Sequence, residues 1–102
     1  MRLFISQPMK DKTDEEIQAE RDAIIAKMEK TYGGIEVIDS FFKDAPHDAK
    51  PLCFLGKSFE LLSTADIVYF AKDWEKYRGC CMEHEAAVKY EIGIIRHFDD
   101  KE

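Results

Sequence analysis

Four short apolar runs alternate along the chain with three longer segments in which apolar residues recur at helical spacing. The short runs suit buried strands, and the longer segments suit helices of several turns. Strands that alternate with helices form a parallel sheet, because each helix returns the chain by a right-handed crossover. The pattern therefore predicts an α/β fold, a three-layer flavodoxin-like or Rossmann-like parallel sheet of about four strands in the order 2-1-3-4.

Residues that stop strands or start helices fix the ends of the predicted elements. Pro8 ends the first strand, because proline cannot donate to a central ladder. Thr13 and Glu16 match a capping box at the start of the first helix. In chain order we predict strand Arg2–Ser6, helix Asp14–Tyr32, strand Ile35–Asp39, helix Pro51–Thr64, strand Asp66–Phe70, helix Gly79–Glu91 and a last strand opening at Ile94–Ile95. The expected inward side chains of the last two helices are Leu52, Leu55, Phe59 and Leu62, then Ala86, Ala87 and Tyr90.

Length and charge limit the class of protein. A chain of 102 residues is enough for one domain with a single core, so we predict one domain over residues 1–102. The net charge of −6 leaves no basic face for a nucleic-acid backbone. No apolar run reaches the roughly 20 residues of a membrane helix, and no signal sequence is recognisable. We therefore expect a cytoplasmic protein without a nucleic-acid or membrane partner.

The three cysteines favour the same compartment. Their number is odd, and Cys80 and Cys81 are adjacent, which makes a bridge between them unfavourable. Reduced thiols are the simpler interpretation. The run from Cys80 to His84 has soft ligands but no second pair at zinc spacing, so we predict no metal and no cofactor.

Chemically capable side chains are densest after the third predicted strand, in the loop Ala71–Arg78 and the helix start that follows it. In an open α/β sheet, ligands bind beyond the carboxyl ends of the strands, at the point where the strand order reverses. For the order 2-1-3-4, that point lies between the first and third strands. The loops after Ser6 and after Phe70 are therefore expected to face each other across one crevice.

Glu83 is the candidate catalytic residue in this region. It follows Gly79 by four residues and lies in the first turns of a helix, where free amides and the helix dipole favour a carboxylate. A carboxylate beside a pocket can attack a sugar anomeric carbon or stabilise an oxocarbenium ion. A solvated glutamate that only complements the dipole is the alternative. Trp74 is either a stacking platform for a base or a lid over the sheet, and Arg78 either holds a phosphate or forms a surface ion pair.

A family resemblance bears on the same residues. The segments that carry it are Ile5–Met9, Ala65–Phe70, Trp74 and Arg78–Glu83, with Ala87 and Gly93. Together they resemble the nucleoside 2-deoxyribosyltransferase-like superfamily, and within it the small members from bacteria and phages. The resemblance implies a flavodoxin-like sheet, Glu83 as the nucleophile that forms a glycosyl-enzyme intermediate, and a loop from Ser6 to Met9 that lines the pocket. It also implies a homo-oligomer in which a neighbouring subunit completes the site.

The chain departs from that family at three positions. Tyr77 stands where the transferases carry an acid, Ser58 where they carry the aspartate that handles the proton of the base, and Gln7 where they carry a glycine. Proton transfer at the leaving base contributes roughly 10²–10⁴-fold in rate. Asp48, Asp73 or Glu85 are the possible substitutes for the two acids.

The leading hypothesis is an enzyme that acts on the N-glycosidic bond of a nucleoside or nucleotide, as a deoxyribosyltransferase or N-glycosidase. Glu83 is its predicted nucleophile. The predicted substrate-binding residues are Ser6, Gln7, Pro8, Met9, Asp73, Trp74, Tyr77, Arg78 and Gly79. The alternatives are a protein that binds a nucleotide-derived small molecule without turnover, and an oligomeric scaffold with no ligand. The base, the sugar, the phosphate count and the oligomer size stay open.

Overall fold

The structure is a computed structural model that describes residues 1–41 and 50–97. Its elements in chain order are β1 (Arg2–Ser6), α1 (Asp14–Tyr32), β2 (Glu36–Val37), α2 (Pro51–Leu62), β3 (Ile67–Phe70), a short 3₁₀ helix (Trp74–Lys76), α3 (Arg78–Lys89) and β4 (Gly93–Arg96). Within these residues the strands form one parallel sheet in the order β2-β1-β3-β4. The predicted fold class and strand order are confirmed. No described helix is long and apolar enough to cross a membrane.

Side chains alternate between the two faces of the sheet and form two apolar clusters. On one face, Leu3 and Ile5 of β1 pack with Ile24 and Met28 of α1. On the other face, buried side chains of the sheet pack with side chains of α2 and α3. The members of this cluster include Phe4, Val68, Phe70, Leu62, Cys80 and Ala87. The helices therefore cover both faces, as a parallel sheet requires.

The central pair of strands brings two carboxyl ends together. Ser6 at the end of β1 lies opposite Phe70 at the end of β3, and the Ala71 amide donates to the Ser6 carbonyl at 2.9 Å. The loops that follow these strands therefore start side by side. Here the strand order reverses, because β2 lies on the other side of β1.

The capping box predicted for α1 is present. The Glu16 amide donates to Thr13 Oγ1 at 3.1 Å, and the Thr13 amide donates to Glu16 Oε1 at 2.9 Å. These bonds satisfy two amides that have no partner inside the helix. They also lower the pKa of Glu16, mainly through the Thr13 backbone amide.

Removal of the cap hydroxyl gives a first prediction. We expect Thr13→Ala to lower the free energy of unfolding by about 1 kcal/mol, with Thr13→Ser close to the original protein. Urea unfolding followed by circular dichroism at neutral pH measures both. Equal stability of the alanine and serine variants would contradict the role of the hydroxyl.

Three predicted details are wrong. Strand β2 pairs over Glu36–Val37 only, because it is an edge strand with a single neighbour. Tyr90 was expected inward but is 80% exposed, since α3 ends at Lys89 and the chain turns there. Leu52 and Phe59 were expected on the buried face of α2 and are exposed. The first turns of α2 line the cavity described below, and Leu62 is the one fully buried residue of this helix.

Candidate active site

A cavity of about 360 Å³ lies at the carboxyl end of β1, where the loop after this strand meets the start of α3. Its walls come from the end of β1 and the loop after it, the residue Ser40 that follows β2, the first turns of α2 and the start of α3. The lining residues are Phe4, Ile5, Gln7, Pro8, Met9, Ser40, Pro51, Phe54, Leu55, Ser58, Tyr77, Gly79, Cys80 and Glu83. The crevice expected between the loops after the first and third strands is thus a real cavity in the structure.

Glu83 is the one charged side chain among the described residues that line this cavity. It lies in the second turn of α3 and is only 8% exposed. The Ser6 hydroxyl donates to Glu83 Oε1 at 2.7 Å, and Ser58 of α2 lines the same cavity. Burial raises the pKa of Glu83, because an ion is poorly solvated there, and the nearby Ser6 and Ser58 hydroxyls oppose that rise. The result is a desolvated carboxylate held in place from the end of β1.

The thiol of Cys80 lies beside this carboxylate. Burial raises its pKa to about 11, the nearby Glu83 charge adds to the rise, and a bond with Ser6 opposes it. Because a thiol is nucleophilic only as the thiolate, Cys80 stays protonated and unreactive at neutral pH. Of these two neighbouring side chains, Glu83 is therefore the stronger candidate for a nucleophile.

The structure brings most of the predicted site residues together. Gln7, Pro8, Met9, Tyr77, Gly79 and Glu83 line one cavity. Ser6 bonds to Glu83 from the end of β1. The side-chain amide of Gln7, however, is hydrogen-bonded to residues of α1. The main chain is therefore the part of Gln7 that is left to contact a ligand. The resemblance placed Ser58 in the position of the acid for the base, and the structure places Ser58 in the wall of the cavity that also contains Glu83.

Arg78 lies next to the cavity rather than in it. With Lys50, Leu52 and Met82 it lines a neighbouring cavity of about 470 Å³, which shares Pro51, Leu55 and Gly79 with the first. A ligand that fills the first cavity and extends past Gly79 would therefore meet two cationic side chains. That arrangement suits a phosphate on a nucleotide more than it suits a free nucleoside.

Trp74 and Asp73 line neither cavity. Trp74 is 9% exposed and packs in the core, with its ring 5.2 Å from Phe70 and stacked at 4.4 Å on His84. Asp73 has a left-handed backbone (φ 69°) and forms an ion pair with Lys76 at 3.4 Å. This turn directs the Trp74 ring inward against α3. His84 is held there by Arg96, whose Nε donates to His84 Nε2 at 3.0 Å.

Sequence reasoning missed several lining residues. Phe54, Leu55 and Pro51 come from α2, which was expected to face the sheet along its whole length. Their apolar character predicts burial, but nothing in the sequence separates burial against the sheet from a place in the cavity wall. Ser40, which follows β2, also lines the cavity and carries no motif that marks it in the sequence. Asp48, offered as a substitute acid, falls outside the described residues.

No family model, curated protein or solved structure matches the chain. Inferences about the function of the cavity therefore rest on the residues that line it. Within residues 1–41 and 50–97, no group of three or more His, Cys, Asp or Glu side chains is placed to hold a metal ion. The cavity combines apolar and aromatic walls with one buried carboxylate at the carboxyl edge of a parallel sheet, the usual position of a small-molecule site in this architecture.

Proposed function

We propose that the protein cleaves the N-glycosidic bond of a nucleoside or nucleotide, with the Glu83 carboxylate as nucleophile. The observation that carries this proposal is the buried carboxylate, held by Ser6 at 2.7 Å and open to a cavity of about 360 Å³. That volume is within the roughly 300–1,000 Å³ of small-molecule sites. A carboxylate with little solvation is a stronger nucleophile, provided that it is ionised.

The proposed reaction has two steps. A Glu83 oxygen forms a bond to the anomeric carbon while the bond from that carbon to the base breaks. The electron pair of that bond moves to the base nitrogen, which takes a proton from water. Water or a second base then attacks the anomeric carbon, gives its proton to the hydroxide left by the first step, and releases the free carboxylate. Water gives hydrolysis, and an acceptor base gives transfer.

The walls suggest how the parts of the substrate are arranged. Phe54, Leu55 and Tyr77 offer a flat apolar surface for the base. Arg78 and Lys50, in the neighbouring cavity, would hold a phosphate. Asp73 and Trp74 would not contact the ligand. They would affect its binding only by stabilising the turn before α3 and the packing of α3.

Membership of the nucleoside 2-deoxyribosyltransferase-like superfamily is part of this proposal. It is supported by the strand order, by the spacing of Gly79 and Glu83, and by the shared cavity that joins Glu83 to the loop after β1. Tyr77 and Ser58 remain departures, because neither can supply the acid that they replace in the family.

Binding without turnover is the second candidate function. Among the described residues, no carboxylate other than that of Glu83 lines the cavity. Asp73 and Glu85 lie outside it, so neither of these proposed substitutes is in place to protonate a leaving base. A pocket of this kind could hold a nucleotide-derived small molecule and leave it intact.

One experiment separates the two functions. The protein is incubated with a panel of deoxynucleosides and their monophosphates, and base release is followed by chromatography while thermal shifts are recorded in parallel. A 2-fluoro-2-deoxy analogue is used in a third arm to trap the covalent intermediate for mass spectrometry. Base release with an adduct on Glu83 supports the enzyme. Thermal stabilisation with no release and no adduct supports binding alone.

We further propose that copies of the chain associate in a reducing, cytoplasmic environment. Exposed apolar side chains on α2, on α3 and directly after α3 support association, since Leu52 is 73%, Met82 45% and Tyr90 80% exposed. All three cysteines are free, which fits a reducing compartment. Light scattering coupled to size-exclusion chromatography tests the association, because a mass near 11.9 kDa would exclude a stable oligomer.

The Ser6 contact makes a prediction about pH. Ser6→Ala removes a hydrogen bond that lowers the pKa of Glu83, so that pKa should rise further. Because only the ionised carboxylate attacks, the acidic limb of kcat/KM should move to higher pH and activity below it should fall, by about tenfold or more. A ¹³C NMR titration of the Glu83 carboxyl measures the pKa without relying on activity.

The matched control is Ser63→Ala. Ser63 is exposed at the end of α2, and its hydroxyl donates to the Glu60 carbonyl at 2.6 Å, away from Glu83. This variant should leave the titration of Glu83 unchanged. A Ser6→Ala protein whose Glu83 titrates as before would show that the hydroxyl does not stabilise the carboxylate.

A further inference from the structure

Arg21 is a buried cation in the middle of α1 that sequence reasoning did not single out. It is 4% exposed, and its neighbours on the same helix face are the apolar residues Ile17, Ile24 and Met28. Among the described residues, no carboxylate lies within ion-pair distance of its guanidinium. Burial lowers the pKa of Arg21, an effect that the charges of Asp39 and Asp22 oppose. Burial of a guanidinium without such a partner costs free energy of desolvation, so a role in stability alone does not explain its position.

The guanidinium instead contacts the segments that follow two strands. One nitrogen, Nη1, lies 3.2 Å from Gln7 Oε1 and 3.4 Å from Ser40 Oγ. The other, Nη2, lies 3.4 Å from the Ile38 carbonyl oxygen. Arg21 therefore links α1 to the loop after β1 and to the chain after β2.

These contacts fix the orientation of Gln7. An arginine can only donate hydrogen bonds, so the carbonyl oxygen of the Gln7 amide must face it. The amide nitrogen then donates to the Ile17 carbonyl at 3.1 Å and to Glu20 Oε1 at 2.7 Å. Both hydrogens of the amide are used, and the residue is held from three sides.

The same contacts hold Ser40 where the sheet does not. Strand β2 ends at Val37, and the last ladder-type bond beyond it runs from the Ile38 amide to the Leu3 carbonyl at 2.9 Å. Past that point, Ser40 is attached through its side chain, which donates to the Ile5 carbonyl at 3.4 Å and accepts from Arg21. Gln7 and Ser40 both line the cavity that contains Glu83.

We propose that Arg21 is a positioning residue of the candidate site. By holding Gln7 and Ser40 against each other, it sets the wall of the cavity formed by the segments after β1 and β2, and thereby the affinity for the ligand. It touches neither Glu83 nor the cavity itself. The part of this inference that concerns affinity rests on the proposed function, whereas the part that concerns the wall does not.

The test compares Arg21→Met with Lys30→Met. Methionine keeps the length and apolar stem of the buried side chain and removes its donors. Lys30 is exposed in the last turn of the same helix, so its variant controls for the loss of one positive charge from α1. Arg21→Lys, which keeps the charge but cannot bridge the same three acceptors, serves as a second variant if the methionine protein does not fold.

Hydrogen exchange measured by mass spectrometry reports how firmly the two segments of the cavity wall are held. Arg21→Met should exchange faster over residues 7–12 and 38–41 and as before over β3 and α3, while Lys30→Met should match the original protein. In the kinetic arm, KM should rise about tenfold or more, because small displacements of binding groups are costly. The pH profile of kcat should not move, because Glu83 keeps its own partners.

The exchange and kinetic results together test the proposed role of Arg21. Local acceleration of exchange together with a raised KM supports the proposal. Unchanged exchange at both segments overturns it, and so does a uniform increase along the chain, which would make Arg21 a residue of general stability. Local acceleration with KM unchanged also overturns it, because the wall would then not serve the ligand. If the original protein turns over no substrate, the proposed function fails while the exchange arm still decides whether Arg21 holds the wall.

Discussion

Glu83→Gln is expected to abolish cleavage of the N-glycosidic bond, with a fall in kcat of at least about 10³-fold. The amide has nearly the shape of the carboxylate and can still accept a hydrogen bond from Ser6, which lies 2.7 Å away. It cannot, however, form the ester bond to the anomeric carbon. Ligand affinity should therefore change much less than turnover, since the walls of the cavity stay in place.

The same substitution has an expected effect on stability, and its sign follows from the pKa. Burial raises the pKa of Glu83 in the folded protein above the unfolded value. Between those two values the folded state binds more protons than the unfolded state, so stability falls as pH rises. Above the folded pKa the buried charge costs its full amount. Because glutamine carries no such charge, the variant should be more stable than the original protein at high pH and similar to it at low pH.

Glu85→Gln is the control for this experiment. Glu85 lies two residues further along α3, is exposed and pairs with Lys89 at 3.7 Å. This variant should keep both turnover and the trapped adduct, and its unfolding should follow the pH dependence of the original protein. A Glu83→Gln protein that still releases base would remove Glu83 from the chemistry and leave the cavity as a binding site.

The fold was predictable because local signals agree with one another. Several of these signals depend only on residues a few positions away in the sequence. They are the capping box at Thr13, the helix-starting Pro51 and the strand-ending Pro8. Right-handed crossovers limit the possible topologies, and the order 2-1-3-4 is that of a shortened flavodoxin-like sheet. For the site, the same logic predicted that the loop after Ser6 and the start of α3 would meet, because both follow strands that are adjacent at the reversal point.

Side-chain direction was not predictable in the same way. The left-handed turn at Asp73 decides that Trp74 points into the core, and no periodicity in the loop encodes that turn. The place of Phe54 in the cavity wall depends on how α2 lies in the folded protein. Arg21 has the spacing of an apolar face but the chemistry of a surface residue, and its partners lie in segments that the sequence separates by more than ten residues. Contacts between distant segments need the fold before they can be recognised.

Trp74→Ala is expected to cost about 3–5 kcal/mol of stability, the usual range when a buried aromatic ring is truncated. The ring fills the space between Phe70 and His84, where alanine would leave a cavity. For a domain whose total stability is about 5–15 kcal/mol, such a loss removes a large share of it. Chemical unfolding monitored by far-ultraviolet circular dichroism measures the change, and Tyr90→Ala, at an 80% exposed position, should cost far less.

Trp74→Phe decides between a core residue and a stacking platform. The Trp74 indole nitrogen has no hydrogen-bond partner in the described structure, so phenylalanine would lose no bond and should cost only about 1 kcal/mol. If Trp74 belongs to the core alone, the folded phenylalanine and alanine variants should bind nucleotides as the original protein does. If the alanine variant instead keeps its stability and loses nucleotide affinity, the indole ring contacts the ligand, and the loop that carries it must rearrange when the ligand binds.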